Sequence, residues 1–326
     1  MKILINNKTN KFLIRSCIIA GIITLLPLFF LIKIYYADYK ENQANYQENQ
    51  FNYYLEKYIA NNPSLFTTKQ AAETETTETE SNDAESSPFN YSEWIDEKIK
   101  EYPANIEDII KNPKPEKINY MTGSVNDQNL SVKQIIQQNS PAVVLVYTID
   151  SVLSWSYGTG FIIADNGIIA TNYHLFGDTE DPDNIYAERG AVILSDNKSI
   201  YPISSVLFVD REKDLIVIKI DEKNKKLPTV KLGDSDKIEQ GDEVFTTGNM
   251  HDHLGIILDG FVSGFIKDEK IKQIQFSAFT TYGYSGGPLL NNRGQVIGVI
   301  AGSFVSQFGA DFAIPINYLK DLIDKK

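Results

Sequence analysis

Gly283-Tyr284-Ser285-Gly286-Gly287-Pro288 is the stretch that decides how this chain is to be read. A serine hydroxyl is a weak nucleophile at its free pKa, so a chain that uses one needs it on a tight turn, beside a base, with backbone N–H groups aimed at a developing oxyanion. Glycine makes such a turn possible. Gly283 permits the peptide geometry that points its own N–H and that of Ser285 into one pocket, and Gly286 and Gly287 let other backbone approach closely. Without partners the same hexapeptide is a glycine-rich turn with an incidental serine.

The partners lie upstream. Gly158-Thr159-Gly160-Phe161-Ile162-Ile163 leads through Asp165-Asn166-Gly167 to Ile168-Ile169-Ala170-Thr171-Asn172-Tyr173-His174. A single histidine after a strand is most often structural, but His174 precedes a second segment of the right kind, Asp210-Arg211-Glu212-Lys213-Asp214-Leu215-Ile216-Val217-Ile218-Lys219. There an acid opens an apolar strand, a position from which a buried carboxylate can orient a histidine through Nδ1. Around these segments the chain is a succession of short strands: Ala142 to Ile149, Gly160 to Ala164, Ile168 to Thr171, Ala191 to Ser195 and Leu215 to Ile220. Glu243 to Thr247, Ile256 to Phe265, Ile271 to Ala278 and Gln295 to Ala301 continue the pattern. Short strands separated by turn residues argue for an all-β sandwich or barrel and against βαβ units. Helices are expected only at the ends of this region. Ser131 with Gln134 fits a capping box, and Ile316, Leu319, Leu322 and Ile323 fall on one face.

The order His, Asp, Ser resembles the chymotrypsin group, and the wording of the segments resembles its HtrA/Deg branch. GTGFII and TNYH surround His174, DREKDLIVIK surrounds Asp214, and GYSGGPLLNNRGQVIGV surrounds Ser285; VFTTGN from Val244, GFVS from Gly260 and DFAIP from Asp311 add to the likeness, which covers 131–326. The resemblance implies two six-stranded antiparallel β-barrels with the active site in the cleft between them. It implies that His174 accepts the proton of Ser285, that Asp214 orients His174, and that the Gly283 and Ser285 N–H groups form the oxyanion hole. Phe279 is then expected at the base of the pocket for the residue before the scissile bond, with Ala301, Gly302 and Ser303 pairing with substrate backbone.

The sequence also departs from that family. Tyr284 stands where the family usually has Asn, and Gly248-Asn249-Met250-His251-Asp252-His253 replaces its usual Asn-Pro-Phe-Gly. His251 and His253 lack a third ligand, so no metal or cofactor is expected. Only eleven residues follow Pro315, which leaves no room for the PDZ domain most of the family carries. With no acid between Ser277 and Tyr284, the expected preference is for small or medium aliphatic side chains. No carboxylate precedes Ser285 to receive a newly cut N-terminus, so the oxyanion turn is expected to be ordered by packing, substrate or a neighbouring subunit. Tyr284 would offer a large side chain for that contact.

Composition bounds the rest. A net charge of −12 without a basic stripe argues against nucleic acid as a partner. A single cysteine, Cys17, excludes an intramolecular disulfide. Residues 1–15 carry Lys2, Lys8, Lys11 and Arg15 and no acid; 16–36 are apolar apart from Lys33, and Asp38 and Glu41 follow. This predicts a transmembrane signal anchor with the N-terminus inside and the rest of the chain outside the cytoplasmic membrane, a cleaved signal peptide being the alternative. Residues 37–130 are acidic and polar, six acids falling between Ala71 and Ser87, and are expected to be a largely disordered stalk, in which Tyr91 to Tyr102 reads equally as a short amphipathic helix or as partly ordered linker. The domain from 131 to 326 is expected to be a serine endopeptidase acting on proteins or peptides, in some quality-control role and possible as a homo-oligomer. A catalytically silent binding or chaperone-like scaffold on the same fold is the alternative, and a stalked receptor is compatible with either.

Overall fold

A computed structural model describes residues 91–324 apart from 125, 152–153, 197, 224, 251–252, 268–270, 279 and 303–310. The expected membrane span and residues 37–90 of the expected stalk lie outside the described residues. Among the described residues no helix is long and apolar enough to cross a membrane.

Six antiparallel strands close the first barrel: β2 (Val143–Ile149), β3 (Trp155–Ala164), β4 (Ile168–Thr171), β5 (Arg189–Ile193), β6 (Ile200–Asp210) and β7 (Leu215–Ile220). They run round the barrel in the order β2-β3-β4-β7-β6-β5, and β5 pairs back on β2. Every residue of β2 is buried. Val144 and Val146 face the main core, while Leu145, Tyr147 and Ile149 face outward under a covering helix. That double burial is why the run is apolar without alternation.

A second ring is made by β9 (Glu243–Met250), β10 (His253–Lys267), β11 (Lys272–Phe276), β12 (Pro288–Asn291), β13 (Gln295–Gly302) and β14 (Asp311–Pro315). Its order is β13-β12-β9-β10-β11-β14, and pairing of β14 with β13 closes it. Two short strands, β1 (Met121–Thr122) and β8 (Lys231–Leu232), extend β13 in parallel. The fold is therefore all-β and chymotrypsin-like, with two six-stranded antiparallel barrels. Strands β2 and β3 of the first lie against β9 of the second.

The terminal helices form as their patterns require. α3 (Val132–Asn139) carries the full capping box, Gln134 Oε1 accepting from the Ser131 N–H at 2.9 Å. α4 (Ile316–Asp324) buries Ile316, Leu319 and Ile323, with Leu322 partly buried. Strand β6 has no counterpart in the sequence expectation, because Pro202 and the Ser204-Ser205 pair interrupt its apolar residues and two register shifts break its pairing with β7.

One expectation changes more substantially. From Tyr91 onward the chain is folded onto the first barrel and is not a disordered stalk. α1 (Tyr91–Lys100) buries Ile95 and Ile99 against Leu145, Tyr147 and Ile193, and Tyr147 donates to Asp96 at 2.7 Å. α2 (Ile106–Lys111) buries Ile106 and Ile110 in the main core, joined by Ile118. Of the two readings of Tyr91 to Tyr102 the helix is the one that forms, whereas the second isoleucine pair, Ile106 and Ile110, went unread; each pair is spaced i,i+4, which is enough to give its short helix one apolar face.

Candidate active site

His174 sits on a single 3₁₀ turn, Tyr173–Leu175, entered from β4 through Asn172. Asp214 opens β7 with φ of 52°, a left-handed conformation that costs a non-glycine residue about 1 kcal/mol. Its neighbours hold it there: its carbonyl accepts from Asn172 Nδ2 at 2.9 Å and from the Tyr173 N–H at 3.3 Å. The carboxylate then meets His174 twice, Oδ1 accepting from the His174 main-chain N–H at 2.7 Å and Oδ2 lying 2.6 Å from Nδ1. An acceptor on Nδ1 fixes the proton on that nitrogen and leaves Nε2 able to accept one. Tyr186 donates its hydroxyl to the His174 carbonyl. Burial, with Asp214 adding to it, pushes the Tyr186 phenol up to about 12, so this hydroxyl stays a donor through the neutral range.

Ser285 belongs to the second barrel, and its turn rests on the first. The Thr159 N–H donates to the Ser285 carbonyl at 2.8 Å, and Thr159 Oγ1 donates to the Gly283 carbonyl at 2.6 Å. That hydroxyl also accepts from the Asn249 N–H at 2.9 Å, and the Thr159 carbonyl accepts from Thr171 Oγ1 at 2.7 Å. One fully buried threonine thus ties the turn to the ends of β9 and β4. A Cβ on Gly286 would stand 2.1 Å from Thr171 Oγ1 and 2.2 Å from the Thr159 carbonyl oxygen, so the turn can approach β4 only with glycine there. The approach brings Ser285 to the strand end that carries His174 two residues past Asn172. No hydrogen bond joins Ser285 Oγ to the His174 ring in this structure; such bonds often tighten only when substrate is bound.

The oxyanion turn is internally braced. Gly283 has φ of +96°, the Gly286 N–H donates to the Ile300 carbonyl at 2.8 Å, and the Gly287 N–H donates to the Tyr284 carbonyl at 2.8 Å. The Gly283 and Ser285 N–H groups have no acceptor among the described residues. Two free donors two residues apart on a braced turn are the kind of groups an oxyanion would need. Tyr284 differs from its expected role. It is fully buried in the core of the second barrel, its hydroxyl donates to the Ile256 carbonyl at 3.3 Å, and its ring fills the space a side chain on Gly248 would need. It orders the turn by packing and is not offered to a neighbour.

Of the expected substrate-contacting residues, Phe279 and Ser303 lie outside the described residues. Ala301 and Gly302 end β13, directly after Ile300, which is bonded to the turn on both sides. His251 lies outside the described residues and His253 opens β10; among the described residues no cluster of three or more His, Cys, Asp or Glu side chains has metal-site geometry. Four residues were missed in the sequence. Thr159, Asn172 and Tyr186 are ordinary polar residues of strands and loops and carry no signal. Asp311 opens β14, is 6 % exposed, and accepts from the Thr280 N–H at 2.6 Å, close before Ser285. The expectation of aliphatic specificity rested on the lack of an acid between Ser277 and Tyr284, and β14 brings one in.

Comparison with known proteins accords with this geometry. Residues 158–299, which contain His174, Asp214 and Ser285, match the trypsin-like peptidase domain. Over these residues the chain is similar to serine peptidase domains of the trypsin type. A DegP-like periplasmic serine endoprotease of Pseudomonas putida is 34% identical over 174 residues, covering 51% of this chain and 34% of that protein. The mitochondrial serine protease HTRA2 of Drosophila willistoni is 32% identical over 178 residues, covering 52% of this chain and 38% of that one. Among solved structures, the HtrA-type protease AlgW with tripeptide superposes with a TM-score of 0.51 at 28% identity, over 60% of this chain and 64% of that chain. The domain is HtrA/Deg-like, and the chain spans little more than a third of the length of these curated relatives.

Proposed function

We propose that this chain is a serine endopeptidase that cleaves proteins outside the cytoplasmic membrane, to which its N-terminal segment anchors it. The observation that carries the enzymatic part is the pairing of His174 with Asp214 beside a turn whose Gly283 and Ser285 N–H groups are unused. In this mechanism Ser285 Oγ attacks the substrate carbonyl carbon while His174 Nε2 takes its proton. The carbonyl oxygen becomes the oxyanion and is held by the Gly283 and Ser285 N–H groups. The tetrahedral adduct collapses as imidazolium gives its proton to the departing amine, leaving an acyl-enzyme on Ser285. Water then attacks the ester with His174 again as base, and the acid product leaves with Ser285 restored. Asp214 keeps the ring in one tautomer and stabilises the imidazolium. Ala301 and Gly302 are the edge that holds substrate backbone.

Periplasmic location of the DegP-like relative supports placing the domain outside the cytoplasm. The charge bias around residues 16–36 supports an anchor with its N-terminus inside. A fluorophosphonate probe tests the enzyme: it should label the full chain, and Ser285→Ala should abolish both labelling and casein hydrolysis. Casein hydrolysis by Ser285→Ala at the native rate would mean the nucleophile is another residue. Proteolytic shaving of intact spheroplasts should release the domain as a soluble fragment, and complete protection would reverse the assigned topology.

A further inference from the structure

Asp311 is the buried acid that the catalytic machinery leaves unused. It shares a face of β14 with Ala313, which lies in the core of the second barrel, and it pairs across β11 with Phe276. Its carboxylate is buried and touches the segment that leads to Ser285 through the Thr280 N–H at 2.6 Å. On the other flank β13 runs from Ile300, bonded to the nucleophile turn, to Gly302, which pairs with Phe312. Asp311 is thus tied to the nucleophile turn from two sides, through Thr280 and through the Ile300–Gly302 end of β13. Phe276 is its strand partner, Ala313 lies two residues on and Thr280 donates to it, and no Lys, Arg or His among the described residues forms an ion pair with it. Burial pushes its pKa up to about 6, against the opposing pull of the Thr280 hydrogen bonds. A buried carboxylate without a counter-ion is costly in a folded chain, and perturbed acids of this kind collect where a ligand supplies the missing charge.

We propose that Asp311 is the acceptor for a cationic side chain on the substrate residue preceding the scissile bond, so that cleavage follows Lys or Arg. This rests on Ser285 being the nucleophile. A purely structural Asp311 would only hold Thr280, and its loss would lower cleavage of every substrate alike. An Asp311 that reads the substrate changes the ratio between substrates, because a buried acid left unpaired by an aliphatic side chain disfavours that side chain.

The test uses the full chain and peptides that differ only at the residue before the cut. Wild type should cleave after Lys or Arg in preference to Leu or Val. In Asp311→Asn that ratio should drop by about 100-fold with fluorophosphonate labelling retained, and Asp311→Glu should restore part of it. Benzamidine, an aromatic amidinium, should bind wild type by calorimetry and not Asp311→Asn, a readout that survives even if Ser285 proves inert. An aliphatic wild-type profile, an unchanged ratio in Asp311→Asn, or equal benzamidine binding by both proteins overturns the proposal. Failure of wild type to take the fluorophosphonate while benzamidine binding follows Asp311 would instead overturn the nucleophile assignment.

Discussion

Asp214 holds His174 at two points, one carboxylate oxygen on the main-chain N–H at 2.7 Å and the other 2.6 Å from Nδ1. The main-chain contact fixes where the residue sits, and the ring contact fixes which nitrogen carries the proton. Asp214→Asn weakens both, because the amide has one acceptor oxygen where the carboxylate had two. The variant should remain folded, and kcat should fall by about 10³ to 10⁴ with little change in KM. Steady-state kinetics on a peptide substrate check this, and a loss below tenfold would mean the carboxylate does not orient the base.

Thr159 offers a prediction about coupling between barrels. Thr159→Val keeps the shape and removes the hydroxyl that serves the Gly283 carbonyl and the Asn249 N–H. Leaving buried polar groups unpaired costs about 1 to 3 kcal/mol. Urea unfolding should show that loss, and fluorophosphonate labelling should slow as the oxyanion turn loses a tether. Native stability with native labelling would remove Thr159 from this role.

Asp311 carries a pH signature in stability. Its pKa is raised in the folded chain, so between about 4 and 6 the native state holds more protons than the unfolded one, and stability falls as pH rises through that window. The displacement is worth roughly 3 kcal/mol once the group is fully ionised. Asp311→Asn should match wild type near pH 4 and exceed it by up to about 3 kcal/mol at pH 7.5. Urea titrations at several pH values measure it, and a difference that does not vary with pH would contradict the assignment.

The helices before the first barrel predict the outcome of truncation. A fragment beginning at Ser131 strips away Ile95, Ile99, Ile106, Ile110 and Ile118, each buried in the full fold. Burial of an isoleucine contributes about 1.5 to 3 kcal/mol, and the barrel face beneath would be left apolar and exposed. That fragment should aggregate or unfold early in a thermal melt, whereas one beginning at Ala84 should stay soluble. Equal melting temperatures would show that the two helices add nothing.

What the sequence made legible follows a physical pattern. Ser285, His174 and Asp214 stand out as candidates because a nucleophilic turn and its partners would demand particular residue types in particular surroundings, and the strands stand out where apolar residues run unbroken. Thr159 and Asp311 do not stand out, since their importance comes from neighbours more than a hundred residues away or on another strand. Strand β6 was hidden by a proline and two serines and α2 by the charges around its isoleucine pair, whereas α1 was legible as an amphipathic piece but not as a helix that packs on a barrel. Tyr284 was legible as a departure from the family but not as a core residue, because only the fold puts Gly248 opposite it.

Both barrels close on themselves, β5 returning to β2 and β14 returning to β13. Closure removes the long unpaired rims by which sheets recruit foreign strands. If the proposed function holds, this matters for a protein that meets extended polypeptides, since any open rim invites an extended chain to add on as one more strand and stay. Here every barrel strand has a neighbour on both sides along part of its length, and the edge proposed to take substrate is confined to the short end of β13. Extended chains can come and go across such a surface without being built into it.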